Sequence, residues 1–251
     1  MSDKDNNTEI VIQSFKNTFE TGNLVDVLSQ ASEVGLDYTL DIVDSAQILK
    51  DIPVLGLIVS GTKTIANIRN YLLAKKVFKF LFDIRDIPIE KRQKFADEYC
   101  RENREDTASA LLMILDRLNN QNYVSIICRL MRAKMNGHIS IAEFNRAVLA
   151  LERISYTDIY QLSKFVEDYY EEGLAEAFES SGLVYQSVVG GGNAASDSKS
   201  GTKMRLSSTG RILLAYGLNI EVGAHAPRST DVRGGVQWET FGDVEGFTVK
   251  R

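Results

Sequence analysis

Asn136-Gly137-His138-Ile139-Ser140-Ile141-Ala142-Glu143-Phe144 has the spacing of the second half of a calcium-binding EF-hand loop. In that frame Gly137 takes the turn, Ile139 the apolar position and Glu143 the bidentate ligand. The first ligand positions then fall on Arg132 and Lys134. Cations there, where carboxylates must stand, mean that no calcium is expected. The segment reads instead as a helix C-cap, a short extended stretch and a new helix. Other chemistry-bearing groups are scattered. His138 and His225 are far apart, and neither has a cysteine at metal-ligand spacing. Gly190-Gly191-Gly192 lacks the Lys-Ser/Thr of a phosphate-cradling loop. Asp37, Asp41 and Asp44 recur at helical spacing, which suits a solvated helix face better than a metal site. No serine, threonine or cysteine has a plausible base. No catalytic residue, metal or cofactor is expected, and the chain reads as one that binds or assembles.

Two stretches depart from the overall charge. The chain of 251 residues carries 34 acidic against 29 basic side chains, net -5, yet Ile52 to Phe82 contains no Asp or Glu. Ile52 to Leu73 matches the ~20 residues that cross a hydrocarbon core. Lys75, Lys76 and Lys79 follow, interleaved with Phe78, Phe80 and Phe82, a composition suited to an inner membrane interface. A cation at mid-bilayer costs ~2.5–3.5 kcal/mol, so Lys63 and Arg69 need a way out of lipid. Helical spacing puts Ser60, Lys63, Asn67 and Asn70 near one face, with Leu55, Val59, Ile65, Ala66, Leu72 and Leu73 over much of the rest. Such a polar stripe suits the lumen of an oligomer, and Gly56, Ser60 and Gly61 let neighbouring helices approach. The other reading is an amphipathic or buried helix of a helical bundle. The second stretch, Ser198 to Ile220, has no acid and carries Lys199, Lys203, Arg205 and Arg211. A patch of this kind meets anionic ligands such as phosphates, or is merely a solvated surface.

The elements that position these groups follow from periodicity and punctuation. Helices are expected over 8–34, with Leu24, Val27, Leu28 and Ala31 on one stripe, and over 37–50. Pro53 to Phe82 reads as one long helix, or two broken near Gly61, with Pro53 in the first turn. Helices at 89–103, 106–119 and 122–135 follow, the last ending at Asn136-Gly137. Then come extended residues 138–140, helices at 141–153, 156–172 and 174–180, a strand at 183–189, a Gly/Ser/Asn loop at 190–201, a strand at 202–206 and a helix at 208–218. Helix, short strand, two helices and a hairpin is winged-helix order. The expected fold class is mainly α. It comprises an N-terminal helical bundle over 1–121 with one amphipathic or membrane-active helix, a winged-helix-like domain over 122–222, and a low-order tail or small hairpin over 223–251. The 156–172 helix carries Asp158, Glu167, Asp168, Glu171 and Glu172, which repel a duplex, so no sequence-specific binding of duplex DNA is expected. Cys100 and Cys128 read as free core thiols of a reducing compartment. The polar N-terminus carries no secretory signal, so the expected location is the cytoplasm or the inner membrane, peripheral or integral.

Two patterns carry a family resemblance. Ile52-Pro-Val-Leu-Gly56 through Lys75-Lys76 and Lys79-Phe80-Leu81, followed by Ile87-Pro88-Ile89-Glu90-Lys91-Arg92, resembles short bacterial proteins met among mobile and anti-phage defence genes. Leu206-Ser-Ser-Thr-Gly210-Arg211 through Leu213-Leu214 and Tyr216-Gly217-Leu218 resembles the end of a winged helix in the same group. Within it, the chain looks like the channel-type effectors paired with a nucleotidyltransferase, as in Hailong defence. That resemblance implies a homo-oligomer acting on the inner membrane, which it depolarises under control of an oligonucleotide-type product of the partner. Ser60, Lys63, Asn67 and Asn70 would then line the pore, Lys75, Lys76 and Lys79 would meet the membrane interface, and Lys199, Lys203, Arg205 and Arg211 would hold the anionic ligand. The competing function is a winged-helix interaction protein or nucleic-acid-binding regulator, in which 52–82 is core.

Overall fold

The computed structural model describes residues 2–22, 24–26, 28, 52–60, 66–103, 106–167, 172–188 and 202–220. These residues are mainly helical, with one small sheet. The chain divides into two compact units, Met1–Phe144 and Asn145–Arg251. The expected division lay at 121/122. The observed one falls inside a later helix, because Tyr123–Met135 packs with Ala66–Ile84 and Ile89–Asn103.

In the first unit α1 (Ser2–Glu20) is followed by α2 (Pro53–Ser60), α3 (Ala66–Ile84), α4 (Ile89–Asn103), α5 (Thr107–Arg117), α6 (Tyr123–Met135) and the start of α7 (Ile141–Arg153). Helix α1 begins before residue 8 and stops at Glu20, with a turn at Thr21–Gly22, so the segment 8–34 is not one helix. Leu24 and Leu28 are nevertheless buried, as their stripe required. Pro53 opens α2, where its missing N–H is no loss. Of the two readings of Pro53 to Phe82, the broken one holds: α2 ends at Ser60 and α3 starts at Ala66. Asp106 caps α5 by accepting from the Ser109 amide at 3.1 Å.

The apolar residues of α2 and α3 go into this unit's core. Val54, Leu55, Ile58, Val77, Phe80, Leu81 and Ile84 are all buried. Phe80 stacks at 6.1 Å on Phe19 and lies 6.0 Å from Phe15. Phe95, Tyr99 and Phe144 form a second aromatic cluster, with Phe144 edge-on to both.

The near-EF-hand segment resolves into two helix ends. Gly137 has φ +82°, and the His138 amide donates to the Ala133 carbonyl while that of Gly137 donates to Lys134, which closes α6. Ser140 and Glu143 then form a reciprocal capping box at the start of α7: the Ser140 amide donates to Glu143 Oε2 at 2.7 Å, and Ser140 Oγ accepts from the Glu143 amide at 3.2 Å. Glu143 is therefore engaged by backbone. Residues 138–140 form no strand.

The second unit contains the rest of α7, α8 (Tyr156–Ile159), a 3-10 segment (Tyr160–Glu167), α9 (Glu172–Ser180), β1 (Val184–Val188), β2 (Thr202–Leu206) and α10 (Ser208–Ile212), which runs into a π-helical turn at Leu213–Gly217. The helix expected over 156–172 is thus a short α-helical turn that tightens to 3-10. Helix α9 closes as α6 does, with Gly182 at φ +79° and the Leu183 amide donating to Phe178. Strands β1 and β2 are antiparallel, from Val184 opposite Leu206 to Val188 opposite Thr202. Val184, Met204 and Leu206 are buried with Leu162, Phe165 and Phe178. The expected helix 37–50, loop 190–201 and tail 223–251 lie outside the described residues.

Candidate functional site

The lysines expected at a membrane interface sit in three different environments. Lys75 lies over the Tyr71 ring, 5.0 Å from its centroid. Lys79 pairs with Asp83 at 3.4 Å, one helical turn on. Lys76 is only 8 % exposed. Its Nζ donates to the carbonyls of Asp116, at 3.1 Å, and Leu118, at 2.7 Å, so it caps the C-terminal end of α5. Burial pushes the Lys76 ammonium pKa down, opposed by the Asp116 charge. In this conformation Lys76 is buried and its ammonium is engaged by backbone. Phe80 and Phe78, expected beside it at the interface, are buried too. Of the residues expected to face lipid, Leu55 is buried, Leu73 half-buried and Leu72 exposed. Among the described residues no helix is long and apolar enough to cross a membrane.

The polar stripe is only partly described. Asn70 is half-buried on α3. Ser60 ends α2 and Asn67 lies in the first turn of α3, but their side chains lie outside the described residues, as does all of Lys63. Ser60 and Asn67 thus belong to different helices. Arg69, a cost to any insertion, forms a two-point ion pair with Asp116 through Nη2–Oδ2 and Nε–Oδ1, the latter at 3.2 Å.

Sequence reasoning missed Arg92. It is 2 % exposed, and its guanidinium donates to the carbonyls of Phe19 and Thr21, the latter at 3.1 Å. It closes α1 as Lys76 closes α5. The available signal was position, because Arg92 shares the apolar stripe of Phe95, Ala96 and Tyr99. A polar cleft of about 350 Å³ between the end of α3 and α6 was also missed. There Arg132 bridges the Asp86 carboxylate and the Asp83 carbonyl, and Ser125 Oγ donates to Asp83 Oδ2 at 2.7 Å. The hydrogen bond from Arg132 holds the Asp86 carboxyl below its ordinary range. These groups answer one another's charges, which makes the cleft a clamp between two helices. Cys128 lies at its base, and burial pushes that thiol far up, away from the reactive thiolate. Both cysteines are free, as expected.

The second cationic group sits on the hairpin of the second unit. Arg205 lies between the buried Met204 and Leu206 along β2, so it takes the opposite face of the strand. Tyr185 is the register partner of Arg205, and Ser187 that of Lys203. Arg211 follows on α10, half-buried. The side chain of Lys203 and the whole of Lys199 lie outside the described residues. Helix α10 is fixed against the entry to β1: Ser207 Oγ donates to the Gly182 carbonyl at 2.7 Å, and the Ser207 amide to that of Leu183 at 3.0 Å. Among the described residues no cluster of His, Cys, Asp or Glu could hold a metal ion. Comparison with known proteins returns no match, whether to family models, curated proteins or solved structures.

Proposed function

We propose that the chain is a non-enzymatic, two-unit binding protein whose C-terminal unit is winged-helix-like and takes an anionic, nucleotide-type ligand on its hairpin. The observation that carries this reading is on β2, where Arg205 takes the strand face opposite the buried Met204 and Leu206, with Lys203 two residues before it in the sequence and Arg211 following on α10. Lys199, Lys203, Arg205 and Arg211 together supply the positive field that phosphates require. The resemblance to defence-associated effectors agrees with an oligonucleotide-type product as that ligand, and the helical first unit is then the part that self-assembles and responds. The test is direct titration of the full chain with a labelled single-stranded oligonucleotide. Lys203→Glu with Arg205→Gln is expected to abolish binding while leaving the thermal transition in place. Unchanged binding by that variant removes the hairpin from the function.

Pore formation through 52–82 asks more of the chain. Leu55, Ile58, Val77 and Leu81 would have to leave the core, and Lys76 its carbonyl partners, before the segment met lipid. Membrane potential followed by a voltage-sensitive dye decides this. Depolarisation on co-expression with a ligand source, lost in Asn67→Leu, supports a pore, and a steady potential removes it.

A further inference from the structure

We infer that Tyr185 makes this hairpin selective for single-stranded, nucleobase-bearing phosphodiesters over bare polyanions and over duplexes. The inference rests on the anion-binding reading of the hairpin given above. Tyr185 and Arg205 are directly opposed across the β1–β2 ladder. Directly opposed residues of an antiparallel pair have Cβ atoms ~4.5–5.5 Å apart, so an aromatic ring and a guanidinium there serve one ligand. Tyr185 is 37 % exposed, while its neighbours in the chain, Val184 and Leu183, are 3 % and 0 % exposed. The ring is therefore held on a two-stranded element anchored by buried neighbours, with part of its surface exposed. It is the sole aromatic residue of β1 and β2.

Charge points the same way. From Ser180 to Ile220 four cations stand against a single carboxylate, Asp197, a local excess of +3 in a chain of net -5. A phosphodiester held by Arg205 places its attached base within reach of the opposed ring. Every base has a π-face, so stacking on tyrosine adds affinity without demanding a particular sequence. A duplex keeps its bases stacked inside and offers the ring nothing. Inorganic polyphosphate offers charge and no base.

Fluorescence anisotropy on the full chain, at one salt concentration, separates these cases. The probes are a labelled single-stranded deoxyadenylate oligomer, the same sequence as a duplex, and inorganic polyphosphate as competitor. Tyr185→Leu is expected to weaken the single strand by about tenfold, the scale of one lost base stack, and to leave the polyphosphate affinity unchanged. Tyr185→Phe, which keeps the ring, should bind as the native chain does and serves as the folding control. Arg205→Gln should weaken both ligands. Equal affinity of Tyr185→Leu and the native chain for the single strand overturns the platform while sparing the anion site. So does an equal loss for polyphosphate. A native chain that binds none of the three probes removes the anion site and the platform together.

Discussion

Gly210 is the residue whose identity the geometry dictates most sharply. A Cβ built there would lie 2.2 Å from the Leu183 carbonyl oxygen and 3.2 Å from Leu206 Cδ2. That carbonyl already accepts from the Ser207 amide, so it is not able to swing aside without breaking the joint between α10 and β1. Gly210→Ala must therefore displace α10 from the hairpin. Overpacking of this kind costs ~1–3 kcal/mol. The expected outcome is a loss of amide-exchange protection in β1 and β2, while α3 and α6 stay protected. Asp86 supports a second expectation at this scale. Arg132 favours its ionised form in the folded chain. The resulting stability is present above the unfolded carboxylate pKa, near ~4, and is lost as pH falls through the lower folded value. Asp86→Asn should remove that increment, so urea midpoints of native and variant chains should differ at neutral pH and converge in acid. Glu98, held down by Lys134, contributes with the same sign in both chains and drops out of the comparison.

At the scale of elements, two buried cations close two helices. Lys76 takes the last carbonyls of α5 and Arg92 those of α1, and each stands on an apolar stripe of its own helix. The macrodipole makes the C-terminal end the favoured place for positive charge, and the unsatisfied carbonyls there need donors. Arg92→Ala leaves two carbonyls without their donor and opens a void, a loss of ~2–4 kcal/mol by denaturant unfolding. Arg92→Lys should recover only part, since an ammonium lacks the fork that spans two oxygens. The helix end at Asn136-Gly137 and the hairpin strands were legible in the sequence, because each rests on local chemistry. The capping role of Ser140 and Glu143 was not, since 138–140 reads there as extended and Glu143 reads only against a calcium loop. The fate of 52–82 was not legible either. An acid-free apolar run with trailing lysines satisfies lipid or core equally well, and only tertiary partners, Phe15 and Phe19 against Phe80, place it in the core. The end of α1 at Glu20 was likewise unreadable, because the donors that close it come from Arg92, far along the chain.

At the scale of the whole molecule, charge is unevenly divided. Ser180 to Ile220 carries +3, so the remainder of a chain of net -5 carries -8. A polyanion is drawn to that local excess, and on the proposed reading its binding is confined to the hairpin. Confinement sets a limit that can be measured. Neutralising one phosphate of a single strand releases counterions worth a slope of about -0.7 in log K against log salt. Four cations, Lys199, Lys203, Arg205 and Arg211, therefore allow a slope no steeper than about -3. Lys203→Gln should flatten it by about 0.7, with the loss of affinity greatest at low salt. Tyr185→Leu should lower affinity at every salt concentration and leave the slope alone, because stacking releases no counterions. A slope well beyond -3 means that cations other than these four join the site. A slope near zero means that charge does not hold the ligand, and the assignment of these four residues fails whatever the affinity.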